Sequence, residues 1–173
     1  RNGYHLSAPM ISFHIDDEDA VIENRWDRGD WEINEGPIMA PEGIHFLEWR
    51  AIDVAGNIGS SGNSTIKVDT GVPEVDVTLP ENGPDGERGY YVSTPVILAS
   101  SMDGDVIYSM VPMGDGPQWD LAVEFPLDGL DVPDGKWTIH IKVTDEAGNE
   151  DLAEAVDIKV DTTDPVLNIE ITP

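Results

Sequence analysis

The chain has 173 residues, 35 acidic side chains against 9 basic ones, and a net charge of −26. That balance leaves no basic surface to neutralise phosphates or to attract anionic lipid, which argues against nucleic acid and acidic membranes as partners. Cysteine is absent, so disulfides, thiolate ligands and thiol nucleophiles are excluded, while 39% hydrophobic residues suffice for a packed core.

The first residues, "RNGYHLSAPMI", contain no apolar h-region, so no signal peptide is expected within the chain. No stretch approaches the roughly 20 apolar residues that would cross a bilayer, so no membrane insertion is expected in this segment. An acidic run follows at Asp16, Asp17, Glu18 and Asp19. Trp26 and Trp31 then flank "RGD" at Arg28–Asp30, an integrin-like tripeptide to which no other feature of the chain lends weight. His45, Leu47, Trp49 and Ala51 alternate with polar neighbours, which predicts a strand with one face in a core. It ends in "AIDVAGN", where Gly56 and Asn57 supply tolerance of positive φ and Asp53 can accept backbone N–H groups as an Asx-turn. Asn63 opens the sequon "NST" on the loop expected after that turn. "IKVDTGVP" leads into a second alternating run at Val75, Val77 and Leu79.

The same order of signals then recurs. "PEGIHFLEWRAIDVAGN" from Pro41 is matched by "PDGKWTIHIKVTDEAGN" from Pro133, and "IKVDTGVPEVDV" from Ile66 by "IKVDTTDPVLNI" from Ile158 (Asp53 to Asp145, 92 residues on). "GYHLSAPMI" from Gly3 is matched by "GYYVSTPVI" from Gly89, at an offset of 86. Six extra residues therefore enter the second copy between Ile97 and Pro133, as an indel in loops would. Trp137, Ile139, Ile141 and Val143 repeat the inward face. Short strands at regular spacing with no helical period give an all-β chain of two tandem Ig-like β-sandwiches. The boundaries read as 1–69, 70–161, and 162–173 as a linker with a spare strand.

The two "DxAGN" blocks with their "VDT" junctions resemble bacterial and archaeal Ig-like surface repeats of the leptospiral outer-membrane-protein type. The resemblance implies a spacer, stalk or adhesion module at the extracellular cell surface, and no enzyme. The first junction, "DTGVP", departs from the "DTTDP" of the second by lacking the second Asp.

Chemistry is sparse. His5, His14, His45 and His140 do not recur between the copies, and none sits beside a Ser in a nucleophile-like turn, so no catalytic residue is assigned. His45 falls on the inward face and is expected to be a satisfied core histidine. Calcium is the cofactor that the carboxylates could hold. The candidate ligands are Asp16, Asp17 and Asp19; Asp103 and Asp105; and Asp69, Asp145, Asp161 and Asp164 at the domain junction. The alternative is a solvated acidic surface suited to high salt. Trp49 and Trp137 share the inward register, and Trp31 and Trp119 hold matching structural places; a glycan-binding module would need exposed aromatics instead.

The ends do not match. The second copy opens with "VPEVDVTLP", for which the first has no counterpart, while "DPVLNIEITP" from Asp164 is a strand to spare. Either the chain is cut from a longer array, or Val166, Leu167, Ile169 and Ile171 contact a neighbouring subunit by donor-strand complementation. The expected partners are copies of the chain itself or neighbouring Ig-like repeats.

Overall fold

The computed structural model describes residues 2–171. The chain divides into two compact units: the first runs to Gly71 and takes in Glu146–Asn149, and the second comprises Val72–Asp145 and continues from Glu150.

Unit 1 holds β1 (Tyr4–His5), β2 (Met10–Ile11), β3 (Val21–Trp26), β4 (Glu32–Ile33), β5 (Ile38–Met39), β6 (Gly43–Ile52) and β7 (Ile58–Val68). Its larger sheet has the order β1-β7-β6-β3-β4, and its second sheet is only β2-β5. Unit 2 holds β8 (Asp76–Thr78), β9 (Val96–Ser100), β10 (Gly104–Pro112), β11 (Val123–Glu124), β12 (Leu130–Asp131), β13 (Gly135–Asp145), β14 (Glu150–Leu152) and β15 (Val156–Val160). One sheet runs β11-β10-β13-β14 with β15 also on β13, and the other runs β12-β9-β8. The helical content is two single 3-10 turns, Glu87–Gly89 and Trp119–Leu121.

The repeat is therefore architectural. β6 and β13 form the centre of the larger sheets. Their inward residues carry the core because alternation places every second side chain on one face. In unit 2, Ile139 and Ile141 are fully enclosed and cluster with Ile97 and Leu130 of the other sheet and with Ile158 and Tyr91 on the β15 side of their own, so the two sheets close on a single core. The six extra residues of the second copy are loop: Asp27–Pro37 separates β3 from β5, and the longer Met113–Gly129 separates β10 from β12.

β8 has no counterpart in unit 1 among the described residues, so the second sheet has two strands there and three in unit 2. The consequence shows at matched positions. Ile97, Ile141, Val143 and Ile158 of unit 2 are at most 3% exposed. Their equivalents Ile11, Trp49, Ala51 and Ile66 are all only partly buried.

The expected spare strand meets no neighbour within the chain: 164–171 has no ladder partner among the described residues. Val166, Leu167, Ile169 and Ile171 stay 75–89% exposed. A strand exists through its neighbour's N–H and C=O groups, and here no neighbour is supplied. Asn63 is not on a loop. It is an exposed residue in the middle of β7, opposite Glu48, because the preceding turn closes within five residues (Asp53–Asn57) and pairing resumes at Ile58.

Candidate functional site

The Asp-x-Ala-Gly-Asn loop is a turn built on its aspartate. In the first copy, Asp53 Oδ1 accepts the backbone N–H of Ala55 (2.9 Å) and of Asn57 (2.8 Å), and Oδ2 accepts Asn57 Nδ2 (2.8 Å). Those donors, the Asn57 side chain first, favour the carboxylate and hold its pKa below the usual value. Gly56 supplies the positive φ at 85°, and Gly148 does so in the second copy at 103°. Asn57 has negative φ; its contribution is the side-chain bond, not left-handed tolerance. Asp145, Gly148 and Asn149 of the second copy are likewise engaged.

A second carboxylate device, unseen in the sequence, fixes the chain as it leaves each sandwich. Glu42 in the turn before β6 accepts Thr70 N–H (2.9 Å) on Oε1 and Thr70 Oγ1 (3.1 Å) on Oε2. Asp134, at the matching position before β13, accepts Thr162 N–H and Oγ1 on Oδ1 and Thr163 Oγ1 on Oδ2, all at 2.9 Å. The signal that could have exposed it is the alignment itself. Pro-Glu-Gly and Pro-Asp-Gly stand at the same offset as the two Asp-Thr junctions.

The Thr162 amide, then the Thr162 and Thr163 hydroxyls, hold the Asp134 pKa below its usual value. Its stabilising contribution is thus present above the ordinary carboxylate range and lost as pH falls through the folded value. Asp134→Ala should speed amide exchange at Thr162 and lower the melting temperature at neutral pH. Asp134→Asn, which keeps an acceptor oxygen, should recover part of both. Unchanged exchange at Thr162 in Asp134→Ala would refute the lock.

In unit 1, His45 extends this corner. Nδ1 lies 2.7 Å from Asp27 Oδ2 and Nε2 lies 2.7 Å from the Glu42 carbonyl, while Asp27 Oδ1 accepts the Phe46 amide. Both ring nitrogens face acceptors, an arrangement that favours the doubly protonated imidazolium. The Asp27 side chain, then the Glu42 carbonyl, raise the His45 pKa, and the Phe46 amide, then His45, lower that of Asp27. The expected satisfied histidine is thus half-buried, with its charged form favoured. Its folded pKa exceeds the unfolded value near 6.5, so its contribution is complete below about that pH and fades as pH rises through the folded value. The Asp27 contribution instead fades as acid takes pH down through its lowered value. His45→Gln should remove the alkaline loss of unit 1 stability. NMR titration of the His45 ring checks the raised pKa directly, and a midpoint at or below the ordinary value would refute it.

At the matching position Trp137 donates its Nε1–H to the Pro133 carbonyl (2.9 Å), so both copies tie this inward ring to the turn before the central strand.

Four other rings have a cation against them among the described residues. Arg25 and Arg50 lie 4.4 and 4.1 Å from the Trp31 centroid and pair with Glu48 and Glu23. Lys142 stands 5.2 Å from the Trp119 ring. Lys67 stacks on Tyr4, and Lys136 and Lys159 approach Tyr90, at 5.0, 5.9 and 5.8 Å. These contacts give Trp31 and Trp119 structural places.

Among the described residues no group of three or more His, Asp or Glu side chains is placed to hold a metal ion. Asp17 Oδ1 accepts the Asp19 amide, Asp69 Oδ1 the Gly71 amide and Asp161 Oδ1 the Thr163 amide, so each serves a local turn. Asp16, Asp103, Asp105 and Asp164 are exposed, and Asp145 ends β13.

One cavity has a shape worth weighing. A groove of about 660 Å³ opens between the sheets of unit 1, lined by Ile11, Phe13, Ile15, Ile22, Leu47, Trp49 and Ile66 among others. Its polar rim includes Ser12, His14 and Asp16. His14 Nε2 is 3.5 Å from Asp16 Oδ1, but both side chains stand in water, at 93% and 100% exposure. No hydrogen bond joins His14 to a serine among the described residues, so no nucleophile is set up there.

Residues 91–162 match the family model described as the bacterial Ig-like domain. The match covers most of unit 2 and supports an Ig-like repeat there. Among solved structures, fibronectin(III)-like modules of Clostridium thermocellum CbhA align with 96% of this chain and 93% of their own, at 16% identity and a TM-score of 0.38. The Bacteroides ovatus protein SGBP-B of a mixed-linkage glucan utilization locus, solved with a mixed-linkage heptasaccharide, aligns with 88% of this chain and 41% of its own, at 15% identity and a TM-score of 0.31. No curated protein matches the chain. No helix among the described residues is long and apolar enough to cross a membrane.

Proposed function

We propose that this chain is a structural repeat module of an extracellular cell-surface or filament protein, serving as a spacer, stalk element or head-to-tail subunit. The observation that carries this reading is the duplicated exit lock. Glu42 on Thr70 and Asp134 on Thr162 and Thr163 each tie the chain, where it leaves a sandwich, to the turn that starts the central strand. A device repeated at the point where the next repeat would begin suits an array under tension. The bacterial Ig-like match over 91–162 supports the same class. The acidic excess then serves as a solvated, mutually repelling surface that keeps the module soluble. No reaction is assigned to it.

Stretching a polyprotein containing the chain should give two discrete unfolding events, each releasing roughly 20–30 nm of chain at about 3.3–3.6 Å per residue. Gradual extension without such events would defeat the reading. Saturable binding to a polysaccharide or protein panel, abolished by Trp31→Ala or Trp119→Ala, would favour an adhesion module instead.

A further inference from the structure

The ring at the corner before each central strand titrates in one copy and not in the other. Trp137 donates its Nε1–H to the Pro133 carbonyl and has no proton to lose in the working range. His45 faces two acceptors, Asp27 Oδ2 through Nδ1 and the Glu42 carbonyl through Nε2, both at 2.7 Å. Glu42 is also the residue whose carboxylate grips Thr70 N–H and Oγ1. One ring, one peptide and one side chain thus connect the turn after β3 to the point where the chain leaves the sandwich. Gly43 follows Glu42 at φ 104°, and a Cβ there would stand 3.3 Å from His45 Nε2, so glycine both lets the ring reach the carbonyl and leaves the peptide free to turn. Among the described residues the ionised partner of the ring is Asp27. β3 meets the ring with Trp26, centroids 6.1 Å apart, β7 sets uncharged Ile66 opposite, and the Glu42 carboxylate is turned to Thr70.

We propose that His45 gates the exit of unit 1: with both ring nitrogens protonated the Glu42–Thr70 lock is closed, and loss of the Nε2 proton opens it. The proton leaves from Nε2 because a bare Nδ1 would stand against the Asp27 carboxylate. The neutral ring then sets a lone pair 2.7 Å from the Glu42 carbonyl, acceptor against acceptor. Turning the Glu42–Gly43 peptide relieves that contact, and the movement carries the Glu42 side chain off Thr70. Asp69 N–H stays on the His5 carbonyl and Asp69 Oδ1 on the Gly71 amide, so the release is confined to the Glu42–Thr70 lock. Asp27 and then the Glu42 carbonyl raise the ring's pKa, so the lock is closed below the ordinary histidine value and opens as pH rises through the folded one. The Asp134 lock of unit 2 is backed by Trp137 and has no such control. One chain therefore carries a gated exit and an ungated one.

NMR of the whole chain between about pH 6 and 9, above the ordinary carboxylate range, reads the gate directly. The Thr70 amide resonance should move with the midpoint of the His45 ring, leaving the low-field position that a carboxylate acceptor gives. Its exchange protection should fall several-fold across the same midpoint. The Thr162 amide of the same molecule should show neither change. Amides of the β6–β7 ladder should stay protected, which separates an opened lock from an unfolded unit. Asp27→Asn should move the His45 and Thr70 midpoints down together, and His45→Gln should abolish the response at Thr70. Should His45→Gln fold poorly, the titration of the parent chain decides alone. The gate is refuted if Thr70 ignores the His45 midpoint, if Thr70 and Thr162 respond alike, or if the response survives in His45→Gln. A shift at Thr70 without faster exchange would report only the field of the ring and would refute it equally. The gate needs no array and is read in a single chain, so its failure leaves the module reading to the stretching experiment.

Discussion

Ile139→Ala is expected to cost unit 2 about 2–5 kcal/mol, the range for truncating a branched side chain in a closed core. Ile139 is 0% exposed and sits among Ile97, Leu130, Ile141 and Ile158, contributed by both sheets. Removing it leaves a void that β-sheet backbones tied by ladders on both sides of β13 cannot collapse to fill. Leu47→Ala is the corresponding truncation at the matching position of unit 1, and it should cost less, toward the lower end of that range. Leu47 is itself buried, at 1% exposed, but it lines the open groove, so the space left behind joins solvent rather than forming a sealed cavity. Chemical denaturation of the two variants, followed by circular dichroism, measures the difference. Equal costs, or a larger cost for Leu47→Ala, would show that unit 1 is closed as tightly as unit 2 and that its missing strand has no energetic consequence.

The parts legible from the sequence are those decided within a few residues. Alternation at Trp137, Ile139, Ile141 and Val143 reports a face, and the structure buries three of the four almost completely. Asp53 reads as a turn acceptor because the donors it takes, Ala55 and Asn57, lie two and four residues on. What stayed hidden depends on residues far apart. The Glu42 and Asp134 locks reach Thr70 and Thr162 across 28 residues, and a single carboxylate among 35 acids carries no local mark. The polar run Gly59–Thr65 reads as a loop, yet it is strand, stitched to β6 by its ladder. Its Gly62 lies opposite Trp49, and a Cβ there would stand 2.6 Å from the Trp49 ring. The glycine that mimics a loop signal is therefore room for the indole. The calcium candidates show the converse. Where acids are abundant, closeness in sequence says little about convergence in space, and three of the expected ligands are occupied by neighbouring amides.

The alignment column that joins Val77 to Ile169 gives the sharpest contrast, because one residue has a core to enter and the other does not. Val77→Asp is expected to destabilise unit 2 by about 2–4 kcal/mol, combining the lost burial of a valine with the cost of holding a carboxylate against the apolar core. Val77 lies opposite Ala99 in the β8–β9 pair and packs on the cluster around Ile97. The charge can escape only if β8 peels away, which would recreate in unit 2 the two-stranded sheet that unit 1 already has. Hydrogen exchange should show that escape as faster exchange in β8 and at the β9 amides facing it, with the β13 amides still protected. Ile169→Asp changes the same column in a residue that is 75% exposed and unpaired within the chain, so the isolated chain should melt within about 0.5 kcal/mol of the parent, as surface substitutions do. If Val77→Asp is as mild as Ile169→Asp, β8 is an ornament on unit 2 rather than a wall of its core, and the empty place beside β2 loses its significance. If Ile169→Asp is as damaging as Val77→Asp, the segment after Asp164 already packs within its own chain.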